Sequence, residues 1–269
     1  MTIKRVGLGG LGAIGMTVAR RLDEGIDGLA LGAVAARDLA GAKARVAGFR
    51  APPAVVPARD LAEHADIVVE CAPAAAFAEI AEPALAAGRI FVPVSVGALL
   101  ARADLIERAK QTGARIIVPS GALVGLDAVR AAAEGRITRV TMVTRKPPGS
   151  LAGAPYLEEH GISLDGLDAP LKIFEGSARD GAKGFPANVN VAAALSLAGI
   201  GADETRLEIW ADPSLSRNTH AIEVESDSAN FSLIIENLPS AENPRTGRIT
   251  ALSVIATLRG LVAPLRVGT

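Results

Sequence analysis

Cysteine is almost missing from this sequence. Cys71 stands alone, which excludes an intramolecular disulfide and any zinc site built from several thiolates. Aromatic residues make up only 3%, and no tract interleaves them with basic residues, so nothing resembles a base-stacking nucleic-acid surface. An excess of charge is missing too: 28 basic residues face 29 acidic ones, a net charge of −1, and no polyanionic partner is advertised. No stretch approaches the roughly 18 uninterrupted apolar residues of a membrane span. The opening MTIKRVGLGG enters a strand-like run without the apolar core or cleavage site of a signal peptide. These absences predict a soluble cytoplasmic protein with neither a membrane nor a nucleic-acid partner.

What is present is apolar and small. Hydrophobic residues are 49% of a 269-residue chain, enough to bury the cores of two domains and to exclude wholesale disorder. Most of that content is Ala, Leu, Val and Ile, the mixture of parallel strands covered by alanine-rich helices. Strand-like runs at 3–8, 29–35, 66–71, 90–96 and 115–118 alternate with helix-like runs at 14–22, 39–47, 75–87 and 103–111. That alternation implies βαβ units and a parallel sheet. After about residue 135 the pattern changes. A β-like run at 139–144 meets Lys146, Pro147 and Pro148, which continue neither strand nor helix. A helix is predicted over 188–197, then strands over 205–211, 220–226 and 229–236. Consecutive strands without helices between them suggest an α+β domain with a mixed or antiparallel sheet. The run 249–261 reads as a helix apolar on most sides, which must pack on something large.

The segment from Gly7 to Gly15 holds a G-x-G-x-x-G pattern in two registers, Gly7, Gly9, Gly12 or Gly10, Gly12, Gly15. The second leaves a full strand before the turn and is preferred. Such a loop needs glycine for a tight turn, for close backbone approach to a pyrophosphate, and for packing of helix on strand. The pyrophosphate then meets the positive end of the helix. Gly10, Gly12, Ala13, Ile14 and Gly15 are therefore candidate cofactor contacts, and a Rossmann-type domain over 1–130 follows, with 245–269 packing back on it. The catalytic domain is placed at 131–244. At the tip of the second strand, alanines stand where an NAD-selective site has an acid. Arg37 follows and could pair with a 2′-phosphate, so tolerance of both NAD and NADP is expected. The alternative is that Arg37 and Asp38 only cap the next helix.

For proton chemistry there are three histidines. His64 and His160 sit in polar turns and read as surface residues. His220, after Ser216, Arg217, Asn218 and Thr219, lies where a strand begins, placed to titrate near neutrality and relay a proton. Cys71, at the end of a buried-looking strand, reads as a small hydrophobe rather than a nucleophile. No nucleophile-elbow or Ser-x-x-Lys element supports a hydrolase. Ser120 to Ala122 follow a strand at the sheet edge where ligands collect in open α/β folds.

Several elements then combine. Pro119 to Ala122 with Gly125, Leu126 and Asp127, then Lys146, Pro147 and Pro148, then Phe185 to Ala192, then Asn218, Thr219 and His220 resemble, in that order, the L-aspartate dehydrogenase family. The resemblance spans nearly the whole chain. It implies oxidation of L-aspartate to iminoaspartate with NAD or NADP, or the reductive amination of oxaloacetate with ammonia. It further implies His220 as acid/base, Ala122 and Asn190 as cofactor contacts, a homo-oligomer, and a product feeding NAD biosynthesis. A dicarboxylate substrate needs polar and cationic clamps, for which Lys146, Lys183, Asn188 and Arg217 are candidates. A reductase of the dihydrodipicolinate type would carry a tandem-histidine motif, and none is found. A cyclitol dehydrogenase would carry Glu-Lys-Pro near residue 95, where Val94, Ser95 and Val96 stand. A non-enzymatic NAD-sensing regulator would need a partner module, and no basic helix offers one.

Overall fold

The computed structural model describes residues 2–186, 189–240, 242–243 and 246–268. The chain divides into two compact units. One runs to Pro119 and takes in Ala251–Arg266, and the other is Ser120–Thr250.

The first unit alternates strand and helix: β1 (Lys4–Gly9), α1 (Ala13–Glu24), β2 (Leu29–Ala35), α2 (Leu39–Val46), β3 (Ala54–Val56), β4 (Ile67–Glu70), α3 (Phe77–Ala86), β5 (Ile90–Pro93), α4 (Val96–Leu100), α5 (Asp104–Thr112) and β6 (Arg115–Ile116). The strands lie in the order β3-β2-β1-β4-β5-β6, each neighbouring pair parallel. Both faces of this sheet are covered, which is why β4 is apolar without alternation up to Glu70. Val6, Leu8, Val34, Ile67, Val69 and Val92 face one core with Met16, Val18 and Leu22 of α1. Ala33, Ala35, Val68 and Phe91 face the other with Phe77, Ile80 and Leu85 of α3. The strand order reverses between β1 and β4, so the carboxyl ends of those strands flank the crevice where open α/β sheets take ligands. Gly9 of β1 and Glu70 of β4 are register partners at that edge. β3 has no sequence signal because it is three residues long and follows two prolines.

The second unit contains α6 (Leu126–Ala133), β7 (Ile137–Lys146), α7 (Pro155–Glu159), β8 (Leu171–Ser177), α8 (Ala178–Gly184), α9 (Asn190–Ala198), β9 (Arg206–Ala211), β10 (Thr219–Ser226) and β11 (Phe231–Glu236). Its sheet runs β11-β10-β7-β9-β8. β7 pairs parallel with β9 and the other neighbours are antiparallel, so the sheet is mixed. β7 is longer than its sequence signal and sits at the centre, with Val140, Met142, Thr144 and Lys146 buried on one face. β8 carries no clear alternation, and an aromatic group of Tyr156, Phe174 and Phe185 packs against it with ring centroids 5.2–5.7 Å apart.

The division falls at Pro119, eleven residues before the boundary expected at 130. Gly125 has φ +76°, and a Cβ there would lie 2.3 Å from Leu233 of β11. Asn237 Nδ2 donates to the Ala122 carbonyl at 3.2 Å, and α6 packs on α9. Residues 120–130 thus belong with the mixed sheet. The last helix, α10 (Arg248–Gly260), places Val254, Ile255 and Leu258 in the same core as Val6 and Leu8. Among the described residues, no helix is long and apolar enough to cross a membrane.

Candidate active site

The glycine loop follows β1 directly. Gly7 and Gly9 lie inside the strand, where a Cβ at Gly9 would strike Ile80 at 2.6 Å. The turn begins at Gly10, whose φ of +101° suits glycine and whose Cβ would meet the Cys71 carbonyl at 2.6 Å. Gly12 is the N-cap of α1 and supplies no side-chain cap. A Cβ there would touch nothing within 4 Å. At Gly15 a Cβ would fall 2.0 Å from the Gly10 carbonyl oxygen, so α1 packs straight onto the loop. The first-turn N–H groups of a helix have no acceptor within it, and here they open beside the exposed Gly12 backbone with Ala13 and Ile14 beginning the helix. This cradle fits the pyrophosphate of a dinucleotide.

At the tip of β2, Asp38 caps α2 through Oδ1, which accepts from Gly41 N at 2.9 Å. Its carboxylate is engaged with the helix, as the capping alternative had it. Arg37 is exposed and makes no ion pair among the described residues.

In the second unit, β10 places His220 opposite Thr144 of β7, and the His220 Nδ1 lies 3.1 Å from Thr144 Oγ1. Thr144 and Lys146, two residues apart on β7, share a face of the sheet, and both are buried with His220. Burial pushes the Lys146 ammonium down to about 8. Burial above all, with the Lys146 charge adding to it, pushes the His220 imidazole down to about 3. In place of the titration near neutrality expected from sequence, burial and the Lys146 charge favour the neutral ring across the physiological range. In the tautomer whose Nδ1–H donates to Thr144, Nε2 keeps its lone pair, the form of a general base; in the other, the Thr144 hydroxyl donates to Nδ1.

The other candidates are placed as follows. Ala122 is in the turn before α6, with its carbonyl bound to Asn237. Asn190 begins α9. Arg217 lies in the turn before β10, 3.7 Å from Glu236. Lys183, on α8, is largely exposed and ion-paired with Asp180 at 3.1 Å, which is a surface role and does not bring it to His220. Asn188 lies outside the described residues. His160 stacks on Tyr156 at the surface, and the Cys71 thiol is pushed up by burial and by the Glu70 charge. Sequence reasoning missed Thr144, Asn237 and Glu70. For Thr144 the only signal was its spacing of two from Lys146, which has no meaning until β7 is paired with β10.

Comparison with known proteins adds the following. Residues 10–119 match the family described as "Homoserine dehydrogenase, NAD binding domain", and residues 127–261 match "Aspartate dehydrogenase, C-terminal". A protein of Bradyrhizobium diazoefficiens named L-aspartate dehydrogenase is 58% identical over 98% of this chain and 94% of its own length. One of the same name from Methanocella arvoryzae is 43% identical over 98% and 99%. The crystal structure of an aspartate dehydrogenase from Thermotoga maritima superposes with a TM-score of 0.75 at 26% identity, covering 98% of this chain and 99% of that one.

Proposed function

The chain belongs to the L-aspartate dehydrogenase family, an NAD(P)-dependent amino-acid dehydrogenase by that membership, and we propose that it oxidises L-aspartate to iminoaspartate. The reverse reaction is the reductive amination of oxaloacetate with ammonia. By family likeness the protein is a homo-oligomer, and its iminoaspartate feeds NAD biosynthesis. The observation that carries the reading is the buried group of His220, Thr144 and Lys146 on one face of the mixed sheet.

When bound, NAD or NADP supplies the acceptor for the hydride leaving Cα of the amino acid. Everything else falls to the chain. Gly10, Gly12, Ala13, Ile14 and Gly15 hold the pyrophosphate, with Ala122 and Asn190 as further cofactor contacts. Arg37, free of ion pairs among the described residues, is available to a 2′-phosphate, while capping keeps Asp38 from competing for the ribose hydroxyls. Both cofactors are accepted on this ground. Lys146, charged at neutral pH in a desolvated setting, binds a substrate carboxylate, with Arg217 as the second clamp. His220 takes a proton through Nε2 from the substrate ammonium, so that hydride leaves Cα of the free amine. It gives that proton up to solvent, and only then can Nε2 take a second one from the water that attacks the imine carbon. Thr144 holds the ring in the tautomer this needs.

Steady-state assays of the full chain with L-aspartate and either NAD or NADP test the proposal. Turnover is expected with both cofactors. His220→Ala should lower kcat by about 10²- to 10⁴-fold, the span for loss of a general acid/base, with NADH affinity unchanged. Full turnover in His220→Ala would show the histidine to be structural, and no turnover of L-aspartate by the wild type would refute the substrate.

A further inference from the structure

Glu70 is a carboxylate that the proposed chemistry does not use. It ends β4 at the edge where the sheet order reverses, and it has no exposed surface. A buried carboxylate is costly unless its oxygens are satisfied. Here three donors converge on it. Oε1 accepts from Ala72 N at 2.9 Å and from Ser95 Oγ at 2.9 Å, and Oε2 accepts from Ser95 N at 3.0 Å. The charged form therefore ties together the segment after β4 and the turn after β5. Ala72 is also a wall of the glycine loop: a Cβ on Gly10 would meet Ala72 Cα at 2.9 Å and the Cys71 carbonyl at 2.6 Å. The Cys71 N–H donates to Gly9 at 2.9 Å, and the Cys71 thiol reaches the Gly10 carbonyl at 3.6 Å. Contact thus runs without a gap from Ser95 through Glu70 and Ala72 to the turn that cradles the cofactor.

We propose that ionised Glu70 is a positioning residue for the nicotinamide cofactor, holding Ala72 and Ser95 so that the turn at Gly10 keeps its binding shape, and that cofactor affinity depends on its charge. Protonation converts one acceptor oxygen into a donor facing donors, so at least one of the three bonds is lost. Burial raises the Glu70 carboxyl above its ordinary value even against these bonds. The groups around it are Gly9 and Gly10 of β1 and its loop, Cys71 and Ala72 after β4, and Pro93, Val94 and Ser95 of β5 and its turn. Cys71 alone among them titrates, and its raised thiol stays neutral. The proposal rests on the dinucleotide reading of the glycine loop and not on the amino-acid substrate.

The test is a fluorescence titration of the full chain with NADH, without amino acid, from about pH 5 to 8, for wild type, Glu70→Gln and Ser95→Ala. Wild-type affinity should fall as pH drops. Glu70→Gln, whose amide turns a donor toward Ala72 N or Ser95 N, should bind NADH at least tenfold more weakly at pH 8 and show no pH dependence. Ser95→Ala should weaken binding less and keep the pH dependence. A purely structural Glu70 would lower resistance to urea but leave the affinity of the folded protein and its pH slope as in wild type, and that result overturns the proposal. Should Glu70→Gln fail to fold, the wild-type series decides: a flat profile over a pH range where circular dichroism shows native protein overturns it equally. Wild type that binds no NADH at any pH would instead sink the cofactor reading.

Discussion

His220 shows what a single burial decision does to a side chain. Its folded value of about 3 lies below its ordinary 6.5, so below pH 6.5 the unfolded chain binds a proton that the folded chain refuses. Stability therefore rises with pH across this window and falls as pH drops from 6.5 toward 3. The full effect is on the order of 5 kcal/mol. Urea denaturation at pH 4.5 and pH 7 should show wild type losing stability in acid, with a large part of that loss absent from His220→Gln, which has no titrating ring. Lys146 contributes a second, separable pH effect on activity. Its ammonium loses its proton near pH 8, so kcat/KM for L-aspartate should fall as pH rises through about 8. In Lys146→Met that limb should vanish along with most of the carboxylate affinity. A wild-type profile flat from pH 7 to 9.5 would remove Lys146 from the clamp.

At the scale of elements, the turn from β1 into α1 is shaped by three glycines that do different things. Gly15 allows contact between helix and loop at a distance no Cβ permits, so Gly15→Ala should damage the fold itself. Gly12 is the contrasting case. Its φ of −67° and ψ of −164° are open to any residue, and a Cβ there meets no protein atom within 4 Å. Gly12→Val should therefore fold with native circular dichroism and an unaltered urea midpoint, yet fill the space through which a pyrophosphate reaches the backbone. NADH titration should detect no binding, and wild-type affinity in this variant would disprove the cradle. Elements of this kind were legible from sequence, since a strand, a positive-φ turn and a helix start are local demands. β8 and the parallel pairing of β7 with β9 were not, because neither has a local signature. The same holds for the join of residues 120–130 to the mixed sheet, which depends on Gly125 meeting Leu233, 108 positions along in sequence.

For the molecule as a whole, the decisive segment is α10. Val254 and Leu258 are fully buried in the core that β1 and α1 build, so the C-terminal helix completes a unit that the N-terminal strand begins. Leu258→Ala should cost about 2–5 kcal/mol, the range for an aliphatic side chain lost from a packed core. It should lower the urea midpoint measured by circular dichroism, and saturating NADH should recover part of the loss because ligand stabilises only the folded state. A Leu258→Ala protein as stable as wild type would mean that the helix merely rests on the first unit.

The dinucleotide-binding half was written in the sequence itself. Periodicity, glycine spacing and the near absence of cysteine and aromatics act over a few residues or over the whole composition, and both are readable without pairing one segment with another. The order of motifs carried the family as well. What only the tertiary structure decided is the chemical state of the groups. His220 is neutral because pairing of β10 with β7 buries it beside Thr144 and Lys146, more than 70 positions away. Asp38 is the cap of α2 because α2 starts where it does. Glu70, unremarked in an apolar run, grips Ser95 across the neighbouring strand. Charge state follows desolvation and donor geometry, and both arise only when register brings distant residues together.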